Sequence, residues 1–231
     1  MDKKIEEIKR LLEGCSVPQR KLIFMELRKE FSIHPIEEKL KTQAEIILSA
    51  INKDASGLTY RMLRGVIAEA AFEIEVISTL SEWRNVTPEG DFPFDYVLSN
   101  GIQGVSVQVK LQRSKNLNPM TANQASRKFS KELFVVETQK TRGGIDIATK
   151  EDTRPYRFNE FDILAVSMQP STGKWMSFMY TVGNWLIPQE GHPKKMYKFQ
   201  PVSPIPNNDW TDNFETCVKW LNQNLEKKIK F

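Results

Sequence analysis

An acid, an amide and a lysine are predicted to lie close together on a hairpin near the middle of the chain. Asp95 interrupts an otherwise apolar predicted strand, and Gln108 and Lys110 share the polar face of a strictly alternating one. A four-residue turn sets Asp95 directly across from Gln108, whereas a two-residue Asn-Gly turn makes them diagonal neighbours, within ~5–8 Å either way. Such oxygen ligands suit Mg²⁺, and a lysine can place or deprotonate a water. The alternative interpretation is an ordinary polar strand face in solvent.

The helix predicted before this hairpin, over residues 59–80, offers a further carboxylate. Glu69 and Glu73 lie one turn apart on it, and periodicity alone favours neither of them. Glu69 lies beside Ala68 and Ala70, small residues that permit a helix to approach a sheet closely. The predicted buried face of this helix consists of Leu63, Val66, Ile67, Ala70, Ala71, Ile74 and Ile77.

The elements around these residues predict an α/β fold with a mixed sheet. Three short amphipathic helices, at 5–12, 18–31 and 36–51, form an expected N-terminal subdomain over 1–57, followed by a main domain over 58–231. This subdomain would be a cap, a dimer contact or a nucleic-acid contact. The main domain has predicted strands at 92–98, 105–111, 133–137, 161–166 and 175–181, with helices at 118–130 and 214–229.

The net charge of +4 is modest, but its distribution along the chain is uneven. Residues 110–157 contain eleven basic and five acidic side chains, which makes this segment +6 and the remainder −2. The segment is also rich in Asn, Gln, Ser, Thr and Gly, a mixture suited to hydrogen bonds with phosphates and base edges. An ordinary basic loop region is the alternative.

Several classes of protein are excluded by composition. No apolar run approaches the ~18–20 residues needed to span a bilayer, and the charged N-terminal residues do not resemble a signal peptide. The two cysteines, Cys15 and Cys217, have no metal-binding spacing, so we expect a reducing cytoplasm. No GxxxxGK[ST] loop is present, so a nucleoside triphosphate is not an expected ligand.

Asp95, twelve intervening residues and then Gln108-Val109-Lys110 resemble the PD-(D/E)xK nuclease motif in its Q-x-K variant. Pro93-Phe94-Asp95 is similar to the Pro-Asp element of that motif with one residue inserted. Residues 138–144 and 153–166 are similar to stretches of bacterial type II restriction endonucleases, and the likeness covers roughly 65–185. The resemblance implies a restriction-endonuclease-like core, with a central mixed β-sheet flanked by helices, plus a small N-terminal helical subdomain.

The resemblance also implies roles for individual residues. Asp95 would be the main metal-binding carboxylate, assisted at Mg²⁺ by Gln108 and the Val109 carbonyl. Lys110 would position or activate the attacking water, and Glu69 would correspond to a helix glutamate used near the metal. Because Gln108 stands where an acid is commoner, the site carries one negative charge fewer.

The function that the resemblance implies is Mg²⁺-dependent, sequence-specific cleavage of double-stranded DNA, leaving 5′-phosphate and 3′-hydroxyl ends. The enzyme would be a type II restriction endonuclease, a homodimer in the cytoplasm of a bacterium or archaeon, with no membrane partner. Two alternatives are a structure-specific or repair nuclease with the same core, and a non-catalytic DNA-binding regulator. The expected DNA contacts, in the basic segment, are Arg113, Lys115, Asn118, Asn123, Gln124, Lys128, Lys140, Arg142, Arg154 and Arg157.

Overall fold

The computed structural model describes residues 2–31, 35–54, 57–140, 143–145 and 152–230. The chain divides into two compact units, Met1–Tyr60 and Arg61–Phe231. Within the described residues, no helix combines the length and the apolar character that a membrane crossing requires.

The first unit is helical. Its helices are α1 (Lys3–Glu13), α2 (Val17–Glu30), α3 (Pro35–Leu40) and α4 (Ala44–Asp54), and α5 (Gly57–Ala71) begins within its bounds. The prediction of a single helix over 36–51 is wrong, because Lys41 adopts a left-handed backbone with φ of 51° and separates α3 from α4. The first two helices have side-chain caps: Asp2 accepts from the Lys4 N–H, and Ser16 and Gln19 form a capping box.

A polar cluster occupies the interior of this unit. Among its described residues, only Arg28 and Glu37 are buried, with 8% and 5% of their surface exposed, and they form an ion pair. Arg28 also binds Glu45 at 2.7 Å and the Phe31 carbonyl at 3.1 Å, while Glu37 accepts from the Ala44 N–H at 2.6 Å. The guanidinium therefore joins α2, α3 and the start of α4.

Replacing Arg28 with alanine should loosen α2–α4, because it removes the side-chain bonds to Glu37 and Glu45 that join these helices. We expect amide hydrogen exchange in α3 and α4 to accelerate several-fold, with no change in the strands of the second unit. The exposed Arg10, in the last turn of α1, provides a matched control as Arg10→Ala. Equal exchange rates in the two variants would contradict the structural role of the cluster.

The second unit contains a five-stranded mixed sheet, which confirms the predicted α/β class. The sheet order is β1 (Arg84–Asn85), β2 (Tyr96–Ser99), β3 (Gly104–Leu111), β7 (Ile163–Ser167) and β8 (Phe178–Val182). Strand β3 pairs antiparallel with β2 and parallel with β7, and every residue of β7 and β8 is buried. The strand that carries Gln108 and Lys110 is therefore internal to the sheet, where neighbours on both edges hold its backbone.

The remaining elements surround this sheet or form smaller ribbons. They are β4 (Ser114–Lys115), β5 (Asn118–Pro119), α6 (Ala122–Ala125), β6 (Phe134–Glu137), α7 (Gln169–Thr172), β9 (Pro188–Gln189), β10 (His192–Met196), β11 (Phe199–Val202) and α8 (Phe214–Asn222). Three two-stranded ribbons pair β4 with β5, β6 with β11, and β9 with β10. A small apolar cluster within the basic segment, separate from the main core, consists of Ala122, Phe129 and Val135.

Several predicted boundaries are wrong. The segment 118–130 is a strand and one short helical turn, because Asn116 and Leu117 adopt positive φ angles of 51° and 65° and make a tight turn into β5. Helix α8 ends at Asn222, with Asn224 at a φ of 50°, so 223–229 is not helical. The strand predicted from Phe92 begins only at Tyr96.

Helix α5 also departs from its prediction. It ends at Ala71, where a π-helical turn (Phe72–Val76) and a 3₁₀ turn (Ile77–Thr79) continue the chain. The buried stripe is Ala68, Ala71, Phe72, Val76 and Ile77. The predicted face contained Ala71 and Ile77 but also Val66, Ile67 and Ile74, which are exposed. Apolar residues occur around most of this helix, so periodicity did not determine which face the sheet would cover.

Candidate active site

The β2–β3 hairpin sets the spacing of the acid and the amide. Tyr96 pairs with Val107 and Ser99 with Gly104, a register that sets Asp95 opposite Gln108. The turn is the four-residue alternative, closed by the bond from the Asn100 N–H to the Gln103 carbonyl at 3.2 Å.

The Asp95 carboxylate is held against β3 by two donors. Its Oδ2 accepts from the Val109 backbone N–H at 2.7 Å and from the Gln108 side-chain amide. The same amide nitrogen donates to the Val109 carbonyl at 3.2 Å. Gln108 is only 2% exposed, so its rotamer is fixed by packing as well as by these bonds. Asp95 is thus held beside Gln108 and the Val109 carbonyl, both of which lie on the internal strand β3.

Glu69 approaches this group from α5. The Tyr96 hydroxyl donates to the Glu69 carbonyl at 2.9 Å, which ties the helix to the first residue of β2. The Glu69 carboxylate interacts electrostatically with both Asp95 and Lys110. Glu73, the other carboxylate that periodicity allowed, is exposed and accepts from the Asn85 side chain at 3.4 Å. The structure therefore brings Glu69, rather than Glu73, to the group formed by Asp95, Gln108 and Lys110.

Burial and charge shift the pKa values of all three ionisable groups. Burial raises the pKa of Glu69 to about 7, helped by repulsion from Asp95 and opposed by Lys110. Burial likewise raises the pKa of Asp95, against the lowering effects of Lys110, the Val109 N–H and the Gln108 amide. Burial lowers the pKa of Lys110, and the two carboxylates oppose that shift. Two desolvated carboxylates beside one desolvated amine form a site where proton transfer is feasible near neutral pH.

Glu69 should make the metal-free protein less stable as pH rises. Its pKa is near 4.5 in the unfolded chain and about 7 in the folded protein, so folding favours the protonated acid. The stabilisation is present below about 4.5 and is lost as pH rises through about 7. We expect the urea midpoint of the wild type to fall between pH 5 and pH 8, and Glu69→Gln to reduce that fall. Glu73→Gln is the matched control, and an equal pH dependence in wild type and Glu69→Gln would contradict the prediction.

Tyr156 and Lys140 lie next to Lys110. The spacing of residues in the sequence did not indicate Tyr156. The Nζ atoms of Lys110 and Lys140 each lie 5.4 Å from the centroid of the Tyr156 ring. The Tyr156 side chain is buried, and its pKa is raised by that burial and then by the charges of Asp95, Glu160 and Glu69. The only sequence signal for it was an aromatic residue between Arg154 and Arg157 in the basic segment.

The donor chemistry of the site fits a hard divalent cation. Asp95 and Glu69 supply carboxylate oxygens, Gln108 supplies an amide oxygen, and Val109 supplies a backbone carbonyl. Burial is the main cause of the raised pKa values of Asp95 and Glu69, so a cation that restores the charge balance lost with water would favour their ionised forms. Among the described residues, no cluster of three or more His, Cys, Asp or Glu side chains is suited to a metal. Any cation would therefore rely on the two carboxylates together with neutral oxygens and water.

The first half of the predicted DNA-contact set lies on the ribbon and short helix after β3. Its exposed members are Lys115, Asn118, Asn123, Gln124 and Lys128. Gln124 also accepts from the Thr121 N–H at 3.0 Å, and Lys128 lies 3.3 Å from Glu190. Arg113 differs, because its half-buried guanidinium forms an ion pair with Glu137. The Cζ atom of this guanidinium also lies over the Phe199 ring, 5.6 Å from the ring centroid. Arg113 therefore has an internal bonding role that its position in the basic segment did not predict.

The second half lies in the excursion between β6 and β7. Lys140 is ion-paired with Glu160 at 2.7 Å, and its backbone N–H donates to the Arg154 carbonyl at 2.9 Å. Arg154 and Arg157 are exposed, whereas Arg142 lies outside the described residues. Of the predicted contacts, Lys140 is the one that the described structure links to Lys110, through the Tyr156 ring.

Comparison with known proteins identified no matching family model and no matching curated protein. Among solved structures, the chain is similar to a bacterial homing endonuclease, with a TM-score of 0.40 and 16% sequence identity. The alignment covers 70% of this chain and 93% of that one. A similarity at this TM-score does not establish a shared fold, so the function proposed below is supported by the site.

Proposed function

We propose that the protein is a Mg²⁺-dependent endonuclease that hydrolyses phosphodiester bonds of double-stranded DNA at a specific sequence, as a type II restriction enzyme with a PD-(D/E)xK-like core does. The observation that carries the proposal is the convergence of Asp95, Glu69 and Gln108 around the buried amine of Lys110. Oxygen ligands beside a desolvated lysine are the groups that hydrolysis of a phosphodiester by water requires.

Each residue has a distinct task in this proposal. Asp95, with Gln108, Glu69 and the Val109 carbonyl, would hold Mg²⁺, which supplies charge stabilisation at the phosphate when bound. Lys110 orients the attacking water and accepts its proton, which is favoured because burial lowers the pKa of the amine. The Val109 N–H and the Gln108 amide keep Asp95 directed at the site. Attack of the water oxygen on phosphorus breaks the bond to the 3′ oxygen, which takes up a proton from solvent, so the products are a 5′-phosphate and a 3′-hydroxyl.

The basic segment would bind the duplex beside this site. Lys140 lies over the same Tyr156 ring as Lys110, so we assign it to a phosphate close to the cleaved bond. The exposed residues along β4, β5 and α6 offer both lysines and amide side chains, which can hydrogen-bond to phosphates and to base edges respectively. A homodimer, with one site cutting each strand, would suit a palindromic target.

The proposal is tested by incubating the purified protein with unmethylated phage DNA and Mg²⁺. Discrete fragments whose ends ligate without prior phosphorylation are the expected result. Cleavage confined to branched or damaged DNA would instead identify a structure-specific or repair nuclease. Sequence-specific binding without cleavage at any metal concentration would contradict nuclease activity.

A further inference from the structure

The ammonium group of Lys110 has an unusual set of neighbours. Among the described residues it forms no hydrogen bond and no ion pair within 4 Å, although Asp95 and Glu69 act on it electrostatically. Its close contact is the face of the Tyr156 ring, at 5.4 Å from Nζ to the ring centroid. A long, flexible side chain in a catalytic position needs something to restrict its rotamers.

Tyr156 is itself rigidly held. The side chain is 4% exposed, and its ring packs edge-on against Phe161, with centroids 5.3 Å apart and an interplanar angle of 85°. Its carbonyl accepts from the Met196 N–H at 2.8 Å, which anchors the backbone to β10. The preceding Pro155 forms a bridge with Gln139, so the ring lies next to a paired stretch of the excursion. These contacts fix the ring independently of Lys110.

We propose that Tyr156 is a positioning residue for the cleavage reaction, its ring face holding the Lys110 amine in place and joining it to Lys140. The inference rests on the proposed nuclease function and assigns a task to a residue outside the nuclease motif. The ring face limits where the amine can move, and once the amine has accepted the proton of the attacking water, its positive charge is attracted by the ring quadrupole. The ring therefore restrains Lys110 while leaving its N–H groups available to water.

Lys140 also lies over the Tyr156 ring. Its Nζ lies at the same distance from the ring centroid, so the two lysine nitrogens are no farther apart than twice that distance. Glu160 fixes Lys140 through a 2.7 Å ion pair, and its other oxygen accepts from the Arg157 N–H at 2.9 Å. The ring thereby sets the spacing between the water-activating lysine and the phosphate-binding lysine.

The role is tested with two substitutions at one position. Among the described residues the Tyr156 hydroxyl forms no hydrogen bond, so Tyr156→Phe preserves the ring and its known contacts. We expect Tyr156→Phe to cleave within about twofold of the wild type, and Tyr156→Leu to slow single-turnover cleavage by about tenfold. DNA affinity in Ca²⁺, which measures binding without cleavage, should stay unchanged in Tyr156→Phe and change less than the rate in Tyr156→Leu.

A matched control separates positioning from the general cost of losing a buried ring. Tyr180 is equally buried, at 3% exposure, and packs against Phe178 and Phe214, and no lysine of the described part of the chain lies at its face. Tyr180→Leu should lower the melting temperature yet cleave at the wild-type rate when assayed well below its melting temperature. Slowing by the same factor in Tyr180→Leu and Tyr156→Leu would overturn the positioning role.

A spectroscopic measurement distinguishes failure of this inference from failure of the nuclease proposal. In protein labelled with ¹³Cε-lysine, the Lys110 methylene signal, assigned through Lys110→Arg, should be shifted upfield by the ring in wild type and Tyr156→Phe. The shift should vanish in Tyr156→Leu. A protein that cuts no DNA but shows this pattern would refute the nuclease proposal and retain the Tyr156–Lys110 contact. An unchanged Lys110 signal in Tyr156→Leu, or wild-type cleavage by that variant, would overturn the inference.

Discussion

Replacing Lys110 with alanine should slow DNA cleavage by about a thousandfold while changing DNA affinity little. The amine is desolvated, its pKa is lowered by burial, and it lies beside Asp95 and Glu69. Removing a positioned acid–base group typically costs about 10²–10⁴-fold in rate. The measurement is single-turnover cleavage of a supercoiled plasmid in Mg²⁺, paired with binding to the same DNA in Ca²⁺. We expect a rate loss of about a thousandfold and a change in affinity of less than about threefold, since most cationic contacts remain.

Two further substitutions sharpen this prediction. Lys110→Arg keeps the positive charge but cannot release a proton, so it should be nearly as slow as Lys110→Ala if the amine accepts a proton from water. Lys219→Ala, on the exposed side of α8, is the matched control and should cleave normally. Cleavage by Lys110→Ala within tenfold of the wild type would remove Lys110 from the mechanism. Full activity in Lys110→Arg would leave it an electrostatic role only.

Asp95→Asn should eliminate cleavage and weaken Mg²⁺ binding, yet make the metal-free protein more stable. Asparagine retains an oxygen for the Val109 N–H, so the local geometry is preserved while the charge is removed. Loss of the main metal-binding carboxylate removes charge stabilisation of several kcal/mol, equivalent to about a thousandfold or more in rate. The measurements are plasmid cleavage and calorimetric titration with Mg²⁺.

The stability part of this prediction follows from the direction of the Asp95 pKa shift. Burial holds the folded-state pKa above the unfolded value, so stability is highest at low pH and falls as pH rises through the folded pKa. At pH 8 without metal, Asp95→Asn should therefore unfold at a higher urea concentration than the wild type. Asp91→Asn, at an exposed position in the preceding loop, is the control and should change neither property. Cleavage that survives in Asp95→Asn would refute the metal-ligand assignment.

The sequence was most informative where the chemistry is local. Asp95 directly precedes β2 and Gln108 lies on β3, two consecutive strands joined by a short turn, and the alternating valines of β3 set which side chains share a face. Two registers were compatible with the turn residues, and both brought the same groups together. The hairpin part of the site was therefore predictable because strand period and turn length constrain neighbours in sequence.

Prediction was weaker for helix α5 and for the basic segment. Apolar residues surround most of α5, so only packing against the sheet selected Ala68, Phe72 and Val76 as its buried stripe. In the basic segment, the count of basic side chains could not separate those available to DNA from those bonded within the protein. The structure distinguishes Arg113, which is ion-paired with Glu137, from exposed residues such as Lys115.

By itself, the sequence determined the mixed α/β class, the hairpin that carries Asp95, Gln108 and Lys110, and the concentration of positive charge after that hairpin. Only the tertiary structure decided that Glu69, and not Glu73, joins the group, and that the Tyr156 ring lies against Lys110. The physical reason is separation along the chain. Local backbone geometry relates residues within a hairpin, whereas a helix and a distant loop are brought to the same strand by burial of apolar surface, which carries no signature in residue spacing.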